Sequence, residues 1–471
     1  MEDLLFPQAR RVPYGAHPSN GLLHLVLVIL LTCSPRPGAA MQSDTLPRPN
    51  AFRAIGQTIV LNTVVNRLDA WARNRDWAKV GTRAWARNIR LGWAWDQDGF
   101  ATNVFAHPYH GSLYFNTGRA SGLSFLESAP IAMFGSWSWE YFCETERPSL
   151  NDFLLSSFGG VTLGEMFHRI GETIRDNTAT GLHRTFRELA AMPFDPMGGL
   201  NRLFRGKWKR LGINPAEHDP KAYVLRVGVG GRFARRLVND SMARMGTFVG
   251  DLSYGDAFAG KYRTPFDVFS IRLIVNSQGG LNALNGSGRL YGRALSDSLS
   301  HIRHQFAVNQ RYDYVNNPAQ SFGGVSVEAG IDSRWRLGAR RDGFGIRTAL
   351  FGDGIILGAI DAPGTGTGLR DYDFGPGAGV RWEAGLDRHG ARFFTLLGRV
   401  AYIHTASGGA ADHLVNVSTL ELAIPVTHRV GIAVQTSIFD RESHYTNRPP
   451  DKRDYPEGRF MLVWTKGAST P

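Results

Sequence analysis

The sequence predicts an α+β chain, a helical and aromatic N-terminal module followed by an antiparallel outer-membrane-type β-barrel of about 12 strands. Three observations predict it. In His301–Val315 the even positions read Ile302, His304, Phe306, Val308, Gln310, Tyr312 and Tyr314, against Arg303, Gln305, Ala307, Asn309, Arg311 and Asp313 at the odd ones. Successive side chains of a strand point to opposite faces, so this segment has one mostly apolar wall and one polar wall. The same rhythm recurs in Val325–Leu337 and Val380–Leu386. The second observation is an even set of long strand candidates continuing almost to the C-terminus, and the third is an N-terminal stretch that reads as an export signal.

Composition agrees without deciding the matter. Of 471 residues, 43% are apolar and 20% charged, which excludes wholesale disorder. A barrel hides in such averages, because its apolar residues are spread one in two. Fifty-three Lys plus Arg against 41 Asp plus Glu give a formal charge of +12. That excess suits anionic lipid or lipopolysaccharide phosphates. The basic residues are dispersed and no helix-turn-helix, zinc-finger or RNA-binding motif accompanies them, so no nucleic-acid partner is expected. The expected partners are outer-membrane lipid or lipopolysaccharide and the barrel assembly machinery.

Residues 1–40 read as a signal segment: Arg10 and Arg11, then the apolar run Gly21–Leu31, then Gly38-Ala39-Ala40 as a small-residue cleavage site. The run is short for a span, which needs ~20 residues, and an uncleaved anchor is the alternative. Leu30-Leu31-Thr32 before Cys33 is a poor lipidation signal. If cleavage removes Cys33, only Cys143 remains, with no intramolecular disulfide to make. Its neighbours Trp139-Glu140-Tyr141-Phe142 suggest a packed thiol.

Residues 41–92 form a helical lead-in, with one or two amphipathic helices in Ala51–Trp77. The helical module proper, 93–215, opens with Trp93-Ala94-Trp95-Asp96-Gln97-Asp98. His107-Pro108 then predicts a turn that stops helix propagation. Ser121–Glu144 is strongly apolar, with Pro130 as a kink or helix start, and Ser149-Leu150-Asn151-Asp152 reads as a capping box. Thr162-Leu163-Gly164-Glu165 repeats that signal after a Gly159-Gly160 break and opens a helix through about Asp176. Thr180–Met192 is a further helix stopped by Pro193. The domain boundary falls in Arg205–Pro220.

Strand candidates for a barrel over 222–466 lie near 222–237, 246–256, 265–278, 283–296, 301–316, 321–337, 343–360, 374–388, 391–406, 412–427, 429–440 and 458–466. Several reach the 9 or so residues that cross a bilayer at a ~45° tilt. Asn285-Gly286, Asp353-Gly354 and Asp387-Arg388-His389-Gly390 either separate strands or mark bulges. The competing architecture is a periplasmic β-sandwich, whose strands also alternate. Strand number, strand length, the terminal aromatic strand and the signal favour the barrel.

Residues Trp93–Asp176 resemble an uncharacterised bacterial family, domain-of-unknown-function family 3943. The resemblance rests on Trp95-Asp96-Gln97-Asp98-Gly99-Phe100, Thr102-Asn103, His107-Pro108-Tyr109-His110-Gly111, Tyr114-Phe115-Asn116, Arg119, Gly135-Ser136, Trp139-Glu140-Tyr141, Pro148-Ser149-Leu150-Asn151-Asp152 and Gly160-Val161-Thr162-Leu163-Gly164-Glu165. It implies a defined module on an envelope-located protein and supplies no activity.

Within this module Asn116, Arg119, Glu127, Glu140, Glu144, Asp152, Glu165, His168, Arg169 and Asp176 lie on apolar segments, where an unpaired buried polar group costs several kcal/mol. A paired polar network is the expectation. Glu140 and Glu144, four apart on one helical face, call for a cation, which Arg119 or Arg169 can supply. His107, His110 and Glu140 are the candidate acid/base groups, since imidazole titrates near neutrality. Glu165-Met166-Phe167-His168 has the Glu-x-x-His spacing of di-iron bundles, but such a site needs two motifs and only one is present; Glu165 also fits the acid of the Thr162 cap. No metal or cofactor is therefore expected. Ser136 with His107 and Asp152 is a weaker hydrolytic combination, and Gly364–Gly368 reads as a turn rather than a phosphate cradle. Arg226, Arg232, Arg272, Arg303, Arg311, Arg334, Arg336, Arg381 and Arg399 are expected to line the lumen, paired with Glu328, Asp332 and Glu383 or free to favour anions.

The expectation is thus an outer-membrane β-barrel with a helical periplasmic or plug module, in a structural or transport role. The alternatives are an outer-membrane lipid-directed enzyme using the carboxylates with His107 and His110, and a soluble periplasmic binding protein.

Overall fold

The computed structural model describes residues 47–215, 222–235, 242–258, 262–296, 301–317, 320–337, 344–362, 370–388 and 391–467. The signal segment, Cys33, Gly364–Gly368 and the end of the Arg205–Pro220 boundary lie outside the described residues. The chain divides into two compact units, residues 1–96 with 101–220 and residues 97–100 with 221–471.

The first unit is helical. Helix α1, Ala51–Arg67, is capped by Asn50, whose side chain accepts from Arg53 N at 2.8 Å, and it ends in a π-turn over Leu68–Ala72. Helix α2 is Thr82–Leu91. A π-turn over Thr102–Ala106 runs straight into α3, His107–Ala120. The His-Pro pair therefore does not stop the helix. Pro108 occupies its first turn, where the missing N–H costs little, and the wider π-turn before it relieves the clash of the ring with the preceding carbonyls.

Helix α4, Phe125–Phe142, opens with a capping box in which Glu127 Oε2 accepts from Ser124 N at 2.8 Å and carries Pro130 inside it. Helix α5, Leu150–Leu154, passes through a third π-turn, Leu155–Gly159, into α6, Gly160–Ile174. The Gly159-Gly160 break is thus absent, and Thr162 is no cap: its hydroxyl donates back to Phe158 O at 2.9 Å, as a helix-interior Thr does. The glycines serve close approach instead. A Cβ on Gly111 of α3 would lie 1.9 Å from Ser156 O, and one on Gly160 2.5 Å from the Gly111 carbonyl carbon. Helix α7, Gly181–Ala191, and α8, Pro196–Phe204, complete the unit, α8 capped by Asp195, whose Oδ1 accepts from Gly198 N at 2.8 Å. The lead-in packs within the same unit, with Trp85 edge-on to Phe142 and the Asn66 amide on Cys143 O at 2.7 Å. Among the described residues no helix is long and apolar enough to cross a membrane.

The second unit is a closed antiparallel barrel of twelve strands: β1 Tyr223–Arg235, β2 Met242–Tyr254, β3 Phe269–Asn276, β4 Gly280–Ala294, β5 Ile302–Asn316, β6 Ser321–Leu337, β7 Phe344–Asp361, β8 Tyr372–Arg388, β9 Ala391–His404, β10 Ala411–Pro425, β11 Val430–Tyr445 and β12 Asp451–Lys466. Each strand pairs with its sequence neighbours, and β12 closes on β1. Asn285-Gly286 does not separate strands, since Asn285 pairs with Asp313 and Gly286 with Tyr312. Asp353-Gly354 lies beside a register irregularity at Ile355/Gly358 in the β7–β8 ladder.

The alternation resolves into an inverted polarity. On β12, Phe460 and Leu462 are 53% and 59% exposed while Glu457 and Arg459 are each 3% exposed. On β11, Val434 and Ile438 face out, and Gln435, Ser437, Arg441 and Ser443 are buried. Leu350, Val380, Leu414 and Leu422 continue the outward apolar face on β7, β8 and β10. A β-sandwich would bury this set and solvate the other. Inside the barrel an apolar layer that includes Val249, Ile274, Val315, Ala433, Met461 and Val463 packs together.

Candidate functional site

The helical unit concentrates its buried titratable groups around the start of α3. Helix α3 carries His107 and His110 one turn apart, so the two imidazoles share a helical stripe rather than a loop. Helix α4 brings Glu140 in its last turn, and the first turn of α5 brings Asp152. His107 Nε2 lies 3.6 Å from Asp152 Oδ2. Ser149 caps α5 through its hydroxyl, which accepts from Asp152 N at 3.2 Å, while its own N–H donates to Glu140 Oε2 at 2.8 Å. Glu140 thus supplies the reciprocal bond that a capping box would have taken from Asp152.

Asp96, missed as a site residue from sequence, joins this group. Asn151 Nδ2 donates to Asp96 Oδ1 at 2.9 Å and to Asp152 Oδ1 at 2.8 Å, and Asn103 Nδ2 donates to Asp96 Oδ1 at 2.7 Å. Burial, followed by the neighbouring Asp152 carboxylate, pushes the Asp96 carboxyl well above its ordinary value. Burial and the Glu144 and Asp152 carboxylates do the same to Glu140. Burial, helped by His107, drives the His110 imidazole down to about 3, so His110 is neutral at physiological pH. Its ring packs 4.6 Å from Tyr114 and 4.9 Å from Trp139, and its Nε2 has no hydrogen-bond partner among the described residues. The signal for Asp96 was its place in a dense polar motif between tryptophans and glycine, without an obvious partner nearby in sequence.

The remaining sequence-predicted residues resolve into several separate structures. Glu165 is the centre of one: Arg169 Nε donates to Oε1 at 2.8 Å and Arg119 Nε lies 2.9 Å from Oε2. Both arginines therefore serve Glu165. Glu144 lies beyond the end of α4, so the expected shared helical face does not form; its Oε1 accepts from Trp139 Nε1 at 2.6 Å. His168 Nδ1 sits 3.4 Å from Asp195 Oδ2, and Arg175 Nη1 lies 2.8 Å from that oxygen and 2.6 Å from Glu172 Oε1. Glu165 and His168 thus go to different partners, against a joint metal site. Glu127 caps α4, and Asp176 accepts from Thr178 N and Oγ1 at 3.0 and 2.7 Å. Asn116 is fully buried with neither amide atom hydrogen-bonded. Ser136 Oγ likewise has no partner, so His107 does not engage it as a nucleophile. Cys143 is packed as expected, its thiol pushed up to about 12 by burial and then by Glu144.

The barrel interior is a second concentration of charge. Arg381 Nε lies 3.0 Å from Glu328 Oε2, and Glu328 Oε1 also accepts from Ser287 and Asn309. Arg399 bonds both Asp313 and Asp353; Arg311 Nη2 lies 2.7 Å from Asp313 Oδ1. Arg226 reaches Glu421 at 2.5 Å, Arg272 reaches Asp251 at 2.5 Å, and Arg232 reaches Glu457 at 2.6 Å. Several of these pairs are chords between strands that are not neighbours: β1 to β10, β9 to β5 and, through Arg441 and Asp361, β11 to β7. Of the expected acids, Glu328 and Asp332 take arginines, while Glu383 lines the cavity instead. Arg336, near the end of β6, is exposed. The interior leaves a cavity of about 720 Å³, lined by nine Arg or Lys and four Asp or Glu residues. Arg392 borders it without an ion pair or hydrogen bond among the described residues.

A helical module followed by a closed twelve-stranded barrel with its ionic groups inside is thus the class of protein the fold defines. Residues 92–197 match the model of a domain of unknown function, DUF3943, bearing out the resemblance read from the sequence. No curated protein matches the chain. Similar solved structures include the NanC porin, with 14% identity over 51% of this chain and 99% of that one and a TM-score of 0.27. Others are the TodX monoaromatic hydrocarbon channel (7% identity, 52% and 90% covered, TM-score 0.22) and an anion-selective porin from Comamonas acidovorans (6% identity, 52% and 98% covered, TM-score 0.19).

Proposed function

We propose that the chain is an outer-membrane β-barrel protein whose role is transport or support of the envelope. The observation that carries this reading is the inverted polarity of the closed barrel, with Phe460, Leu462, Val434 and Ile438 outward and Arg459, Glu457 and Arg441 inward. Burying the outward set in lipid removes apolar surface from water at about 25 cal/mol per Å². Strand closure leaves no unpaired backbone edge in hydrocarbon, the condition a spanning sheet must meet. Outer-membrane lipid or lipopolysaccharide would then surround the barrel, and the barrel assembly machinery would insert it.

Fractionation with heat-modifiable gel mobility tests this. Outer-membrane recovery with a heat-dependent shift is expected; extraction without detergent and no shift would retire the reading in favour of a periplasmic binding protein. The excess of arginine around the cavity supports an anion preference in any conduction. Reconstituted in a planar bilayer under a KCl gradient, the protein should show a reversal potential of anion-selective sign, and cation selectivity would sink that refinement. For the helical module a plug role predicts that deleting residues 47–215 raises single-channel conductance, whereas unchanged conductance favours a separate periplasmic module. The enzyme reading has to bring substrate to groups that are buried, Glu140 being 1% and His110 6% exposed.

A further inference from the structure

Two clusters in the helical unit bring a histidine and two carboxylates together so that one ligand-type atom of each lies within 4.8 Å of the others: His107, Glu140 and Asp152, and His168, Glu172 and Asp195. They differ in what balances the charge. In the second, the Arg175 guanidinium lies 2.6 Å from Glu172 and 2.8 Å from Asp195, so a side-chain cation already holds the carboxylates together. In the first, Glu140 receives a single hydrogen bond among the described residues, from Ser149 N–H to Oε2, and no arginine or lysine among them pairs with it. The residue is 1% exposed. His110 Nε2, one helical turn from His107, is buried and has no hydrogen-bond partner among the described residues.

The surrounding bonds are those that hold ligands in place. Asn151 donates to Asp152 Oδ1, and Asp152 Oδ2 lies 3.6 Å from His107 Nε2; Ser149 fixes Glu140 Oε2; Asn103 and Asn151 both hold Asp96 Oδ1, and Asp96 is also hydrogen-bonded to Asp152. Carboxylates that bind metals are themselves hydrogen-bonded in this way. Three elements, α3, the end of α4 and the start of α5, supply the donors. Metal–ligand bonds of ~2.0–2.2 Å would place donor atoms about 3–3.5 Å apart, so a small inward closure completes the site.

We propose that His107, Glu140 and Asp152 bind one divalent first-row transition-metal ion, with Asp96 as the adjacent carboxylate that orients or completes the set. One imidazole and two or three carboxylates suit zinc, manganese or ferrous iron better than a thiolate-seeking ion. The ion supplies the positive charge that Arg175 supplies to the other cluster.

The test uses the untagged full-length protein in detergent, stripped with chelator, exposed to Zn²⁺, desalted and assayed for bound metal by mass spectrometry. One Zn²⁺ per chain is expected, with Co²⁺ giving visible d–d absorption that equimolar Zn²⁺ removes. His107→Gln and Asp152→Asn should each weaken Zn²⁺ binding at least about a hundredfold while Glu172→Gln leaves it unchanged. Failure of the folded wild-type protein to retain Zn²⁺ or develop the Co²⁺ absorption would overturn the proposal. So would Zn²⁺ retention undiminished in both variants with helical circular dichroism intact.

Discussion

At the scale of single residues, the helical unit depends on buried arginines that each satisfy several acceptors. Arg175 is 2% exposed and holds Glu172, the Asp195 carboxylate and the Asp195 carbonyl oxygen. Replacing it with Met strands two carboxylates, and removal of one partner from a buried pair costs about 3–5 kcal/mol. Arg175→Met should therefore lower the denaturant midpoint of the helical transition strongly; a change of a few tenths would show that water replaces the guanidinium. Glu165 and Asp195 also set an acid limit. Burial raises both carboxyls, but Arg119 and Arg169 for Glu165, and Arg175 for Asp195, outweigh it and hold them below their ordinary values. A depressed carboxyl contributes stability above its unfolded value, and that stability is lost as pH falls through the folded one. Thermal unfolding followed by circular dichroism should be lowered below about pH 4, less so in Glu165→Gln. Equal acid slopes in variant and wild type would contradict this assignment. These partnerships were only partly legible: the sequence marked Glu165 and both its arginines as polar residues needing partners, but Arg119 is 46 positions away and its choice of Glu165 depends on how α3 meets α6.

At the scale of elements, period-two strands were legible because a one-residue error flips every side chain to the wrong face. The helices were harder where a local signal competed with packing. His107-Pro108 and Gly159-Gly160 both carry breaker chemistry, yet each sits where a π-turn feeds an α-helix. The π-turns shift the helical phase, and single-sequence periodicity does not register such a shift. Asn285-Gly286 has hairpin composition but is held in a ladder on both sides, a case of sheet context overriding a turn dipeptide. The Gly111–Ser156 approach gives a prediction of its own. Gly111→Ala places a methyl 1.9 Å from a backbone oxygen, which side-chain rotation cannot relieve. The helices must part, at a cost of about 1–3 kcal/mol or more. A neutral or stabilising effect on thermal unfolding would mean that α3 and the α5–α6 segment leave room for a methyl group at Gly111.

At the scale of the whole molecule, the arginines of the barrel could be assigned to one wall from parity, but their partners could not. Asp251, Asp313, Asp353, Glu421 and Glu457 were missed because pairing follows register and closure: Asp251 faces Arg226 and Arg272 across adjacent strands, while Arg399 meets Asp313 from four strands away. Such chords narrow the lumen, and Arg399→Ala removes one that ties β9 to both β5 and β7. On the proposed transport role, larger single-channel conductance and a lower temperature for the gel-mobility shift are expected; unchanged values in both would show that this chord neither narrows the lumen nor ties the strands together. The seam between β1 and β12 has a further consequence, for biogenesis. Leu225 pairs with Lys466, so the first strand finds its last partner only after the ten strands between them have been made. Until then both ends of the growing sheet present open edges, ready templates for other strands. Loop-closure entropy disfavours so distant a contact before the intervening hairpins have formed. A chain that lacks Asp451–Lys466 cannot close this seam, and β1 and β11 would then keep their unpaired edges.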